Sequence, residues 1–276
     1  MLMADKNKEN YHTNSPIINQ CKVMLLSVKY NIMREMTNHI TFITNIVFMV
    51  LNNATFIVTW VLLFQLKKNI GGYTMNDVLL LWGLAAGTFG LSHIFFHRAY
   101  DIPDLIIAGK LDSFLVQPKN VLLGVISSGT STSALGDLLY GYLIICIFKF
   151  SIVNLILFTF FSITGALILT AFAVIVGSLS FWIIRAEALS SNLNNIITLF
   201  STYPEGIFKG IVRMILYTVV PVGLASYLPL KVMLQFHLLN LFVVVGFTIL
   251  IIAVAFFVFY KGLKRYTSSS LMSARI

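Results

Sequence analysis

Charge is scarce in this chain. Lys, Arg, Asp and Glu make up 11% of its 276 residues, against about a quarter in ordinary soluble domains. A soluble domain of this length could not cover its surface with so few charges. Cysteine is nearly absent too: Cys21 and Cys146 cannot form a disulfide framework or a cysteine-built metal site. No G-x-x-x-x-G-K-[ST] loop occurs, so the chain does not cradle nucleotide phosphates in that way. Gly71-Gly72 is followed by Tyr73 and Thr74 rather than a helix-opening lysine. The G-x-S-x-G elbow of a serine nucleophile is missing as well. His93 and His97 share a helix face, but no Glu or Cys accompanies them, so metal ligands are not assigned.

What the chain has is apolar length. Hydrophobic residues are 58% of the total and mean hydropathy is +0.89. The few charges leave apolar stretches of about 20 residues or more, enough for a helix to cross about 30 Å of hydrocarbon. Helices satisfy their own backbone groups in lipid, and the short alternating segments of a membrane barrel are not seen. The expected fold is an all-α integral membrane protein with six transmembrane helices, an N-terminal interfacial amphipathic helix, and a re-entrant external hairpin before the last helix.

The expected spans are Ile40 to Leu66, Val78 to Phe96, Val121 to Phe148, Val153 to Ile184, Ala188 to Tyr203, and His237 to Tyr260. Between the last two lies an apolar stretch interrupted by Pro204, Pro221 and Pro229 and charged at Lys209 and Arg213. Proline breaks the helical ladder, so this stretch is expected to dip in and return on one side; a seventh span is the alternative. In domain terms, 1–20 is a disordered cytoplasmic tail, 21–38 the interfacial helix, 39–262 the six-span domain, and 263–276 a cytoplasmic C-terminal tail. Residues 1–20 are polar, without the apolar core of a signal peptide. Val23, Leu26, Tyr30 and Met33 then recur at helical spacing, with Lys22, Lys29 and Arg34 largely off that stripe. A plain cytoplasmic extension of the first span is the alternative reading.

Orientation follows from basic residues. Placing both termini in the cytoplasm puts 13 Lys and Arg inside and 6 outside. The net charge of +9 is therefore spread along membrane margins, and a nucleic-acid partner is not expected.

Polar residues inside the spans are few. Asp137 is the acid placed clearly inside the third span, where a carboxyl is costly and marks either a proton or cation relay or a buried packing contact. A run of hydroxyls from Ser127 to Ser133 precedes it, and Gly124, Ser128, Thr132 and Gly136 form a ladder of small residues. Asn45, Asn52 and Asn53 in the first span and Asn192, Asn194 and Asn195 near the fifth either hydrogen-bond between helices or line a polar path. Small residues such as Gly83, Gly87 and Gly90 let helices meet within the chain or between two subunits.

The segment between the second and third spans is the most informative. Asp101 can cap a helix that accepts Pro103 in its first turn and carries Asp104 at its positive dipole end. Gly109 can end it in the left-handed conformation, and Leu111, Phe114 and Leu115 suggest a second short turn before Pro118. A compact helix lying along the membrane, with charged and apolar residues mixed, suits docking of a cytoplasmic partner.

Gly109-Lys110-Leu111-Asp112 with Leu115 and Pro118, Tyr73 to Val78, and Tyr203-Pro204 with Val220-Pro221-Val222 and Tyr227-Leu228-Pro229 together resemble the permease subunits of type-two bacterial ATP-binding-cassette exporters, in their six-span branch. The resemblance runs from about residue 22 to 262. It implies a substrate pathway built by two permease chains, identical or related, and driven by a separate cytoplasmic ATPase that holds the ATP and Mg; this chain binds no cofactor and is not itself an enzyme. It also implies a bacterial cytoplasmic membrane location and an ATPase-coupling loop comprising Asp101, Pro103, Asp104, Gly109, Lys110, Leu111, Asp112 and Pro118. Two other classes compete: an ion-gradient-driven secondary transporter, which would need paired discontinuous helices in two halves, and an intramembrane enzyme, which would need a partner for Asp137.

Overall fold

The computed structural model describes residues 16–183 and 186–266, all in helices, turns and loops apart from one isolated bridge between Ile70 and Tyr73. In chain order the helices are α1 (Pro16–Glu35), α2 (His39–Leu66), α3 (Met75–Phe96), α4 (Ile102–Ile107), α5 (Asp112–Leu115), α6 (Val121–Ile126), α7 (Ala134–Phe148), α8 (Ile152–Ser178), α9 (Ala186–Ser201), α10 (Gly210–Thr218), α11 (Leu228–Leu234) and α12 (Leu238–Leu263). The polar tail ahead of Pro16, and the C-terminal tail from Thr267 on, lie outside the described residues.

α3 is the axis of the bundle. Thr74 and Asp77 close a capping box at its start, each side chain satisfying the other's backbone N–H. Nearly every side chain from Val78 to Ala86 is buried, and α7 and α8 pack along its length. The α3–α7 contact is a backbone approach: a Cβ on Gly141 would meet the Gly83 carbonyl and the Gly87 amide at 2.7 and 3.0 Å. Small residues allow that closeness where lipid offers no hydrophobic drive between helices. α8 packs on α12 on the other side. α2, by contrast, fully buries only Asn53 and Trp60 and presents much of its apolar surface outward.

Among the described residues, four helices are long and apolar enough to cross a membrane: His39–Leu66, Met75–Ile107 (α3 with its continuation through α4), Ile152–Phe181 and Leu238–Leu263. A fifth is reached if the bent pair Gly210–Thr218 and Gly223–Leu234 counts as one span. The expected third span is not one helix. Ser127 and Ser128 turn their hydroxyls back to the carbonyls of Leu123 and Val125, both at 2.7 Å, a local bond that competes with the helical ladder. The chain leaves the helix, Ser131 donates its amide to the His93 carbonyl at 3.0 Å, and α7 begins afresh at Ala134. The small-residue ladder is therefore broken: Gly124 lies in α6, Gly136 in α7, and Ser128 and Thr132 in the turn between them. α7 has 15 residues and α9 has 16, about 22–24 Å at 1.5 Å per residue, short of the hydrocarbon thickness.

α1 starts at Pro16, five residues before the expected Cys21. Its Val28 is buried with Ile94 and Ala134, and Gln20 accepts the Asn120 amide at 3.2 Å. One end of the bundle thus gathers α1, the 97–120 segment and the turn after α8. The other gathers the 67–74 turn, residues 149–151 and the segment from Pro204 to His237; there Lys149 donates to the Met233 carbonyl at 2.9 Å.

Candidate functional site

Three places concentrate the polar residues, and the first is a cavity of about 330 Å³ between α2, α3, α7 and α9. Asn53 organises its wall. Its Nδ2 donates to Asp137 Oδ1 at 2.6 Å and to the Met49 carbonyl at 3.0 Å, while its Oδ1 accepts Trp82 Nε1 at 3.2 Å. Asp137 lies in the first turn of α7, yet the neighbouring Leu138 packs on Gly90 of α3 and Gly136 on Ile46 of α2, so the break in the third span sets the carboxyl deep within the bundle. Its Oδ2 is shielded and has no hydrogen-bond partner; neither have the hydroxyls of Thr88 and Ser226, which line the same cavity. Phe56, Trp82 and Phe89 supply aromatic walls, with the Phe56 and Trp82 rings 4.3 Å apart. Asn52 lines the cavity beside Asn53, whereas Asn45 and Asn195 lie on exposed faces and do not line it. Asn194, next to Asn195, is the buried one.

The second place is the segment from Arg98 to Pro118. Ile102, Pro103, Leu105 and Ile106 are buried against the end of α8 and the start of α9, and Leu111 is buried beyond them. Pro103 occupies the first helical turn, and Gly109 adopts φ +68°, the left-handed conformation that disfavours any side chain. Asp101 departs from expectation: its carboxylate makes no cap bond but takes Arg98 Nη1 at 3.1 Å. Arg98, arriving from the preceding turn, competes successfully for it. Asp104, Ile107, Lys110, Leu115, Val116 and Pro118 face outward, and Asp112 is half-buried. This is a platform, apolar beneath and mixed above. His93, near the same end, donates Nδ1–H to the Phe89 carbonyl at 3.1 Å and stacks on the rings of Phe89 and Tyr100, at 3.8 and 4.2 Å.

The third place is the hairpin at the opposite end. α10 meets the helical stretch from Gly223 to Leu234 at a bend of 78°, with Pro221 at the bend. Pro204 ends α9's approach. Pro229 does not interrupt anything: the π-turn Gly223–Tyr227 precedes it, and Pro229 falls in the first turn of α11, where a missing N–H is tolerated.

The residue that sequence reading missed is Glu205. Its side chain is 3% exposed and is held by Arg213 Nη2 and Lys231 Nζ, each at 2.5 Å, and by the Tyr217 hydroxyl at 2.9 Å. Burial alone would raise its pKa. The bonds from Lys231 and Tyr217 and the charges of Lys231 and Arg213 outweigh that and hold the carboxyl below its ordinary value. Tyr73 lies beside it and is pushed up to about 12, by burial first and then by the Glu205 charge. One carboxylate therefore joins α10, α11 and the turn before α3. The two cations were visible in the sequence, but nothing in their spacing announced a common partner.

Comparison with curated proteins and with solved structures returns no match. The family model for the ABC-2 family transporter protein matches residues 50–270, which takes in the cavity, the platform and the hairpin. With that match over most of its length, and with helices built to cross a bilayer, the chain belongs to the ABC-2 transporter family as a multi-pass permease component of an ABC transporter.

Proposed function

We propose that this chain forms the substrate pathway of an ATP-driven exporter in a bacterial cytoplasmic membrane, with both termini cytoplasmic. It pairs with a second permease chain and is powered by a separate cytoplasmic ATPase that carries the ATP and Mg. Six passes are completed by α7 and α9, which are short because broken segments finish them: Ser127–Ser133 on the inner side of α7, and the turn at Thr202 and Tyr203 beyond α9. The bent pair is then a re-entrant external hairpin rather than a seventh span.

The observation that supports coupling is the platform. A helix that only linked two spans would have no need to bury Ile102, Leu105, Ile106 and Leu111 in the bundle while leaving Asp104 and Lys110 outward. That arrangement transmits a push: force applied to the outward face reaches the ends of α8 and α9 through packed, nearly incompressible side chains. The secondary-transporter alternative would need paired discontinuous helices in both halves. The structure offers the α6–α7 break and the 78° bend, which are unlike in form and sit at different depths.

The test is co-purification. Asp104→Lys with Lys110→Glu should leave the permease monodisperse but reduce recovery of a co-expressed ATPase by at least about tenfold, as expected when several charged contacts at an interface are reversed. Undiminished ATPase recovery would reject the platform as its dock. A second measurement addresses the pathway. With Cys21 and Cys146 replaced by serine, Ser201→Cys on the cavity wall should react with a small thiol reagent at different rates in the ATP-bound and vanadate-trapped complexes. Equal rates would reject the cavity as part of the pathway.

A further inference from the structure

Asn53 has no donor left to give: both hydrogens of its amide are used, one on Asp137 Oδ1 and one on Met49. Asp137 Oδ2 therefore stands as an acceptor without a donor, on a side chain 4% exposed. Among the described residues, no Lys, Arg or His lines the cavity, so none of them sets a counter-charge against the carboxyl. The other unpartnered polar atoms there, the hydroxyls of Thr88 and Ser226, can each donate as well as accept. Around these polar groups the walls are aromatic: Phe56, Trp82 and Phe89. The volume of about 330 Å³ is at the small end for ligand pockets.

Each feature restricts the occupant. Asp137 Oδ2, a carboxylate oxygen that accepts and has no hydrogen to give, selects a ligand that brings an N–H group. A carboxyl in a low-dielectric wall, lacking its own cation, selects a positive one, since charged groups at membrane depth are tolerated when paired. Aromatic faces favour a cation near the ring and an apolar body against it. The side of the cavity formed by α2 and α9 carries outward-facing Asn52, Phe56 and Leu199, so a molecule already dissolved in the bilayer can approach from that side.

We propose that this cavity binds small amphipathic amines in their ammonium form, the N–H donors satisfying Asp137 Oδ2 and the apolar body lying against Phe56, Trp82 and Phe89. The proposal rests on the pathway reading above and names its substrate class. It is distinct from a site for any cation, because a quaternary ammonium has charge but no N–H to offer.

The experiment is equilibrium dialysis of the full chain in lipid nanodiscs against 4-phenylbutylamine, with binding to empty nanodiscs subtracted. Saturable binding is expected. Asp137→Asn should weaken it at least about tenfold, in line with loss of a charge-assisted bond, while Asp137→Glu should retain it within about threefold. On the wild-type chain, which avoids any folding defect of the variants, the N-acetyl and N,N,N-trimethyl derivatives should each bind at least about tenfold more weakly. Equal binding of all three compounds, tighter binding of the acetylated one (a protonated Asp137 acting as donor), or an unaffected Asp137→Asn variant would overturn the amine assignment. So would absence of saturable binding. If Ser201→Cys still changes reactivity with nucleotide state in that event, the pathway reading stands and only the substrate class falls; if it does not, the pathway reading falls with it.

Discussion

Removing the Glu205 carboxylate leaves Arg213 and Lys231 facing one another across the hairpin without the group that joins them. Both cations are part-exposed, at 54% and 39%, so water compensates them in part. The cost of Glu205→Gln should therefore sit nearer the scale of hydrogen bonds to a charged group, about 1.5–3 kcal/mol, than that of a fully buried broken pair. The pH dependence has a definite sign. A carboxyl whose folded pKa lies below its unfolded value contributes stability above the ordinary carboxylate range, and that contribution is lost as pH falls through the folded value. Melting of the detergent-solubilised chain should thus show a gap between wild type and Glu205→Gln that is full at pH 7 and closes in acid. A gap that is constant or widens on acidification would mean that Glu205 does not act as an ionised hub.

At the scale of elements, α2 meets the bundle along one face, chiefly against α7. Of its 28 residues only Asn53 and Trp60 are buried, and Asn53 alone bonds to two other helices. Asn53→Ala strands Asp137 without any partner, an unsatisfied buried group worth about 1–3 kcal/mol. Asp137→Ala removes the need for that partner. The two substitutions should therefore be less than additive, by about 0.5–3 kcal/mol, the range for groups in one network. Thermal unfolding of both single variants and the double variant in the same detergent measures this coupling. Strict additivity would place the two side chains in separate roles. The broken third span belongs to the same logic. A continuous helix from Val121 would keep Ser131 in its own ladder; released from it, Ser131 pairs with the His93 carbonyl, and α7 starts with Asp137 in its first turn facing Asn53.

For the molecule as a whole, sequence legibility followed the range of the interactions. Apolar length is local, so α2, α8 and α12 could be read within a few residues of where they lie. So could the first-turn Pro103 and the left-handed Gly109. Partners brought together by folding could not be read: Glu205 meets residues 12 and 26 positions away on separate helices, and the Ser127–Ser133 run gave no sign that a carbonyl on α3 would take Ser131. Pro229 misled because the π-turn before it was invisible. The two ends of the bundle were legible as a charge imbalance, and the structure gathers the same loops into the same two ends. That agreement makes orientation testable with the whole chain. With Cys21 and Cys146 replaced by serine, a cysteine at exposed Lys68 should react with a membrane-impermeant maleimide on intact cells. One at exposed Ser113, on the platform, should react only after permeabilisation. The reverse pattern would place the platform outside the cell, where no ATP-driven partner could reach it. Labelling of both positions in intact cells would break the assignment of the two ends to opposite faces of the membrane.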